Sequence, residues 1–130
     1  MIYALVFALS LADTLTDYTT CYAEQMGLGK WEISVAFAPL DDTEAATWAD
    51  PNYYLAEITY DTAAFERRTD RYVRWIVAHE LAHIELWELG ELAAKYNPEW
   101  GLRLEEQAAS RIARWAALRG ACGSPIPVSR

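Results

Sequence analysis

Cysteine is scarce in this chain, and basic residues are outnumbered. The two cysteines, Cys21 and Cys122, stand near opposite ends of 130 residues, and neither belongs to a CxxC or comparable metal-binding spacing. That rules out a disulfide-dense scaffold, and the pair is read as small core residues or free thiols rather than as a bridge. Eleven Lys and Arg face nineteen Asp and Glu, a net charge of -8. Such a field repels phosphate backbones and anionic membrane surfaces, so neither nucleic acid nor a membrane is expected as a direct partner. Glycine and proline are few, at 6 and 5, and there is no internal repeat or low-complexity segment. The opening run MIYALVFALSLAD has no Lys or Arg before it, and it is too short for a bilayer span or an ordinary secretory signal. Apolar residues continue from it at helical spacing through Leu11, Leu15, Tyr18 and Tyr22. It is therefore read as a first helix, and the expected compartment is the cytoplasm, with secretion the lesser alternative.

What is present is enough apolar material, 53% of the chain, for one core and too little length for two. Residues 1–130 are read as a single domain. The first helix occupies residues 1–27 and stops at Gly27, which suits the left-handed C-terminal position. Trp31, Ile33, Val35 and Phe37 alternate with Glu32, Ser34 and Ala36, the period of a half-buried strand. DDTEAATWADPN reads as a polar loop, and YYLAEITYD as a second strand, with Glu57 and Thr59 opposite Ile58 and Tyr60. From about Asp70 the pattern turns helical and runs to about Lys95, broken or weakened at Gly90. Asn97 and Pro98 supply a capping side chain and a ring preset to helical φ, opening a last helix that ends near Gly120. The tail, residues 120–130, is read as flexible. Helix, strand, strand, long helix, helix implies an α+β domain in which a small antiparallel or mixed sheet packs on the helices.

Both histidines fall in VAHELAHIEL, residues 77–86, four apart. On a helix that spacing stacks them on one face, so His79 and His83 can aim at a single point. Glu80 lies about 100° around the axis, outside the coordinating direction but within reach of a water held there. Trp75, Ile76, Val77, Ala78, Leu81, Ala82, Ile84 and Leu86 surround the motif, and a buried imidazole pair is costly unless its nitrogens are satisfied. A divalent cation does that, and H-E-x-x-H on a helix is the corresponding signature.

A catalytic zinc takes three protein ligands and keeps a fourth position open. After His83 the chain has no further His and no Asp, which excludes the extended H-E-x-x-H-x-x-G-x-x-H form and any later aspartate ligand. Glutamate remains, with Cys122 a weaker candidate. Glu85 and Glu88 point away from the histidine face, Glu91 is too far along, and Glu99 sits in the first turn of the last helix, where a carboxylate suits the helix dipole. In LEEQAASRIARW, Leu102, Glu106, Ala109, Ala113 and Ala116 share a face whose alanines permit close helix approach. Glu106 is favoured as the third ligand, and Glu105, one step around, stays open.

H79-E80-L81-A82-H83 followed by E106-Q-A-A109-S110 in a separate helix resembles the gluzincin metallopeptidases, and the size and element order resemble their small relatives, the minigluzincins. The specific part of the resemblance is about ten residues. It implies a zincin-like fold with His79, His83 and Glu106 on Zn2+ and Glu80 as general base and acid for a zinc-activated water. It further implies a peptide or protein substrate paired with the strand before the motif helix, here residues 53–60. Glu85 departs from the family pattern, and no later His exists to stabilise an oxyanion, which leaves Tyr96 as the candidate for that role. Two other readings stay open: a zinc-binding but non-catalytic protein-interaction domain, and a metal-free domain that binds proteins through its acidic surface.

Overall fold

A computed structural model describes the backbone of residues 2–118 and of Cys122, and the side chains of residues 11–117 and 122. Helix α1 spans Ile2–Gln25, strand β1 Glu32–Phe37, β2 Ala45–Asp50, β3 Leu55–Tyr60, helix α2 Asp70–Tyr96 and helix α3 Pro98–Leu118, with a short 3-10 turn at Thr62–Phe65. The domain is α+β with a mixed sheet, as the element order implies. Among the described residues no helix is long and apolar enough to cross a membrane.

Local chemistry accounts for the helix ends. Gly27 takes φ +77 just beyond α1, a backbone region that costs glycine nothing. Thr69 caps α2 by accepting from the Tyr72 amide at 3.2 Å, and Asn97 caps α3 by accepting from the Trp100 amide at 3.1 Å. Contrary to the expected break, α2 continues through Gly90. The reason is spatial, because a Cβ at Gly90 would stand 2.9 Å from the Glu105 carboxylate. This glycine makes room for a side chain and does not end a helix.

The sheet order is β1-β3-β2. β1 runs parallel to β3 with Val35 beside Ile58, and β2 runs antiparallel to it with Thr47 beside Ile58. Two expectations change here. DDTEAATWADPN is not a loop throughout, since Ala45–Asp50 forms an edge strand. Its buried positions are alanines, 45 and 49, which carry little strand preference, so pairing with β3 decides the outcome. The strand before α2, β3, is in turn central and has a neighbour on both sides. It has no free edge to offer a substrate.

The core lies between the sheet, α1 and α2, with Leu15, Tyr22, Ile58, Tyr60, Phe65, Val77 and Leu81 nearly or wholly inaccessible. Beneath it α2 and α3 form an antiparallel hairpin. Gly101 sits so close to α2 that an added Cβ would be 2.7 Å from the Ala94 backbone nitrogen, and Ala109 and Ala113 are fully buried further along. Small residues are what let two helix axes approach this closely.

The cysteines are not free. Cys21 and Cys122 form a disulfide across 101 residues, with their Cα atoms 5.7 Å apart. Spacing in sequence carries no trace of such a contact, because the fold alone brings α1 beside the segment after α3. Arg74, buried on α2, donates to the Cys122 carbonyl and to Asp70 at 2.7 Å, and its guanidinium lies 4.4 Å from the centre of the Tyr18 ring. Tyr18 donates to Asp70 at 2.5 Å. Burial, then the Asp70 bond, pushes the Tyr18 hydroxyl up to about 12. Burial alone would raise Asp70, but the Tyr18 and Arg74 bonds outweigh it and hold the carboxyl below its ordinary value. Beyond Cys122 the tail lies outside the described residues, as do residues 119–121.

Candidate metal centre

The stacked positions on α2 bring the two imidazoles together. The ring centroids of His79 and His83 are 4.8 Å apart, and their Nε2 atoms are 3.1 Å apart. Both nitrogens face α3. There Glu106 sets one carboxylate oxygen 2.9 Å from His83 Nε2 and the other 3.4 Å from His79 Nε2. Glu105 does not share that point. It reaches the far side of the His83 ring, with its Oε1 3.4 Å from Nδ1. The geometry thus gives adjacent glutamates different places, Glu106 on the converging nitrogens and Glu105 behind one of them.

Burial and charge set the protonation states. His79 is pushed below its ordinary value, by burial first and by the neighbouring His83 second, with Glu106 opposing. Two close imidazoles do not both protonate readily. A neutral ring offers a lone pair, the state a metal ligand needs. With Glu105 accepting at Nδ1, the His83 lone pair is left on Nε2, on the Glu106 side. His79 Nδ1 is buried and has no hydrogen-bond partner among the described residues. Two imidazoles and one carboxylate, all directed at one point, form a donor set that fits a divalent cation.

Glu80 comes to within 4.8 Å of both histidines but is held from another direction. Thr47 on β2 donates to its carboxylate at 2.5 Å and lies 3.2 Å from its backbone carbonyl. Burial raises the Glu80 carboxyl above its ordinary value, and the Thr47 bond opposes the rise. The result is a carboxylate close to the convergence point, shielded from water, and braced by the sheet. Thr47 carries no sequence signal for this role, because the alanines of β2 mark no strand face and its partner lies 33 residues away. Trp75, one turn before His79, places its ring 5.1 Å from that imidazole, a contact that its apolar character alone does not signal.

These groups open onto a cavity of about 630 Å³ between β2, α2 and α3. Its walls include Ala45 to Thr47 of the edge strand and Leu102 of α3. Tyr96 is not part of it. That residue ends α2 with 84% of its surface exposed, thirteen residues past His83 and so about 20 Å along the helix axis at 1.5 Å per residue. No oxyanion role is open to it in this geometry. Glu85, Glu88 and Glu91 are exposed on α2, and Cys122 is committed to its disulfide. Comparison of the chain with protein-family models, with curated proteins and with solved structures finds no match to any of them.

Proposed function

We propose that this domain is a zinc-dependent peptidase, in keeping with its resemblance to the gluzincins. The observation that carries the reading is the meeting of His79 Nε2, His83 Nε2 and the Glu106 carboxylate within 3.4 Å, beside a buried Glu80 held from the sheet side by Thr47. An interaction module built around a closed structural zinc has no use for that additional carboxylate. Retention of Glu80 next to an open cavity favours catalysis over the non-catalytic alternative.

Bound by these three side chains, a divalent zinc would supply a Lewis-acid centre that makes water more acidic and polarises a carbonyl. The remaining work falls to the chain's own residues. Glu80, its carboxyl raised by burial, takes a proton from water and returns it to the departing amine nitrogen. The Thr47 hydroxyl keeps that carboxylate pointed into the cavity. Glu105 holds the His83 ring in one orientation through Nδ1. An extended peptide finds its backbone partner on β2, whose outer edge has no strand beside it among the described residues and whose Ala45 to Thr47 wall the cavity. The disulfide favours an oxidising compartment over the cytoplasm expected from the N-terminal sequence.

The test is metal content followed by cleavage. Wild-type protein should purify with, or take up, one zinc per chain, and His83→Ala should lose it. Glu80→Gln should keep the zinc and cleave no member of a peptide library that the wild type cleaves. Zinc without cleavage would leave the interaction module standing, and absence of zinc would remove both.

A further inference from the structure

Two turns from the convergence point the character of the cleft changes sign. Among the described residues the main cavity is walled by five carboxylates, Asp42, Glu44, Glu80, Glu105 and Glu106, and by no Lys or Arg. Next to it lies a second cavity of about 360 Å³ that shares Tyr72 and Trp75 with the first and is otherwise lined by Thr69, Arg71, Arg114 and Ala117. No carboxylate of a described residue lines this one. Arg71 and Arg114 make no ion pair with a described residue, which is uncommon company in a chain where acids outnumber bases nineteen to eleven.

Helix phase explains why two arginines meet there. On α2, His79, Trp75 and Arg71 recur every four residues, and on α3, running the other way, so do Glu106, Ser110 and Arg114. Residues four apart share a helix face. Stepping from the histidine–glutamate point toward the start of α2 and the end of α3, the second step brings an arginine from each helix, about 12 Å from the ligands by axial rise. Trp75 and Ser110 fill the step between. Both arginines are exposed, and they share the wall of the second cavity with Tyr72 and Trp75.

We propose that Arg71 and Arg114 form a subsite for a carboxylate of the peptide that occupies the cleft, making the enzyme selective for acidic substrates. The inference deepens the peptidase reading and rests on it for the identity of the ligand. A guanidinium pair suits a carboxylate through charge-assisted, forked hydrogen bonds. An extended chain advances about 3.3 Å per residue, so the acidic group stands about two to four residues from the bond at the zinc once arginine side-chain reach is allowed for. The carboxylate comes from a Glu or Asp side chain or from the peptide's own C-terminus, and the same two arginines serve either.

The experiment uses matched alanine-rich hexapeptides carrying Glu or Gln at one position in turn, each as free acid and as C-terminal amide. Affinity is measured by titration calorimetry on zinc-loaded Glu80→Gln protein, which does not turn over, and on zinc-free wild type. At low salt at least one acidic peptide should bind about tenfold tighter than its neutral counterpart, the gap narrowing as salt rises. Arg71→Gln and Arg114→Gln should each reduce that gap to about twofold or less. Lys95→Gln, which removes the same charge at the far end of α2, should leave it unchanged. A preference confined to free-acid peptides identifies the C-terminal carboxylate as the group read, and one that persists in the amides identifies the side chain. Equal affinities, no measurable binding of either peptide, or a preference that survives both arginine variants would overturn the proposal. Failure of wild-type protein to cleave any peptide, with the arginine-dependent preference intact, would count against the peptidase reading alone.

Discussion

Gly90→Ala separates what holds the fold from what tunes the centre. An alanine Cβ at this position would lie 2.9 Å from both Cδ and Oε2 of Glu105 and 3.2 Å from Oε1. Comfortable contact needs roughly 3.5 Å or more, so the Glu105 carboxylate must swing away by about half an ångström. It already sits at 3.4 Å from His83 Nδ1, and that displacement ends the hydrogen bond. Two stability effects then oppose each other. Replacing a mid-helix glycine by alanine favours α2 by about 1 kcal/mol, and losing a partly exposed charge-assisted bond costs about the same. Thermal unfolding of the metal-free variant should therefore stay within about 4 °C of wild type. Zinc affinity should not stay, because an imidazole that loses the partner on its outer nitrogen loses orientation and basicity, typically about 10- to 100-fold in binding. The assay is a competition titration against a chromophoric chelator beside a calorimetric melt, with Glu105→Ala as reference. Unchanged affinity in Gly90→Ala would refute the role given to Glu105. A fall in stability of more than about 2 kcal/mol would show instead that Gly90 packs against something rigid.

Four further outcomes follow from other contacts. Gly101→Ala meets backbone rather than a side-chain tip, 2.7 Å from the Ala94 nitrogen, so overpacking outweighs helix propensity and urea unfolding should report a loss of about 1–2 kcal/mol. Thr47→Val removes the donor that braces Glu80; zinc content should hold while turnover of a peptide substrate drops about tenfold, and unaltered turnover would argue against a catalytic place for Glu80's orientation. Replacing Cys21 and Cys122 together by serine opens a closure of 101 residues, for which chain entropy predicts a loss of about 3–5 kcal/mol in denaturant midpoint analysis; equality with the oxidised wild type would contradict a formed bridge. Asp70 is held below its ordinary 3.8 in the folded state, so its contribution is present above pH 3.8 and disappears as pH falls through the lower folded value. Asp70→Asn should be less stable than wild type at neutral pH, by under about 1 kcal/mol given the exposure of that carboxylate, and the two should converge in acid; a gap that widens in acid would reverse the assignment.

The helices were legible in the sequence because each announces itself locally, through apolar spacing along α1 and α2 and through the terminus chemistry of Gly27, Asn97 and Pro98. β1 and β3 were legible through alternation. β2 was not, since Ala45 and Ala49 bury too little to mark a face, and the substrate strand that the resemblance implies, residues 53–60, has no free edge because β3 is central. Sheet order is a property of pairing across the fold, which no window of β3 records. At the centre, His79, Glu80 and His83 follow from one helical period. Helical phase on α3 favoured Glu106 for the histidine side without settling Glu105, whose place behind His83 depends on the gap left by Gly90 across the hairpin. Thr47 acts across 33 residues and the cysteine pair across 101, separations at which residue spacing says nothing. Tyr96 shows the converse, a residue placed near the centre by its position between two motifs in the chain and carried to the far end of a long helix by geometry.

All three nitrogen and oxygen donors at the centre, together with Glu80 and Glu105, ride on two consecutive helices joined at Asn97. Contacts between such neighbours close short loops, and short loops form early when a chain folds. The closure from His83 to Glu106 spans 23 residues, the same separation as the parallel pairing of β1 with β3, so gathering the donors asks no more of the chain than building the sheet does. A cation held by all three donors would tie the two helices to each other directly, so under the proposed function zinc would strengthen the hairpin while the sheet stands on its own pairing.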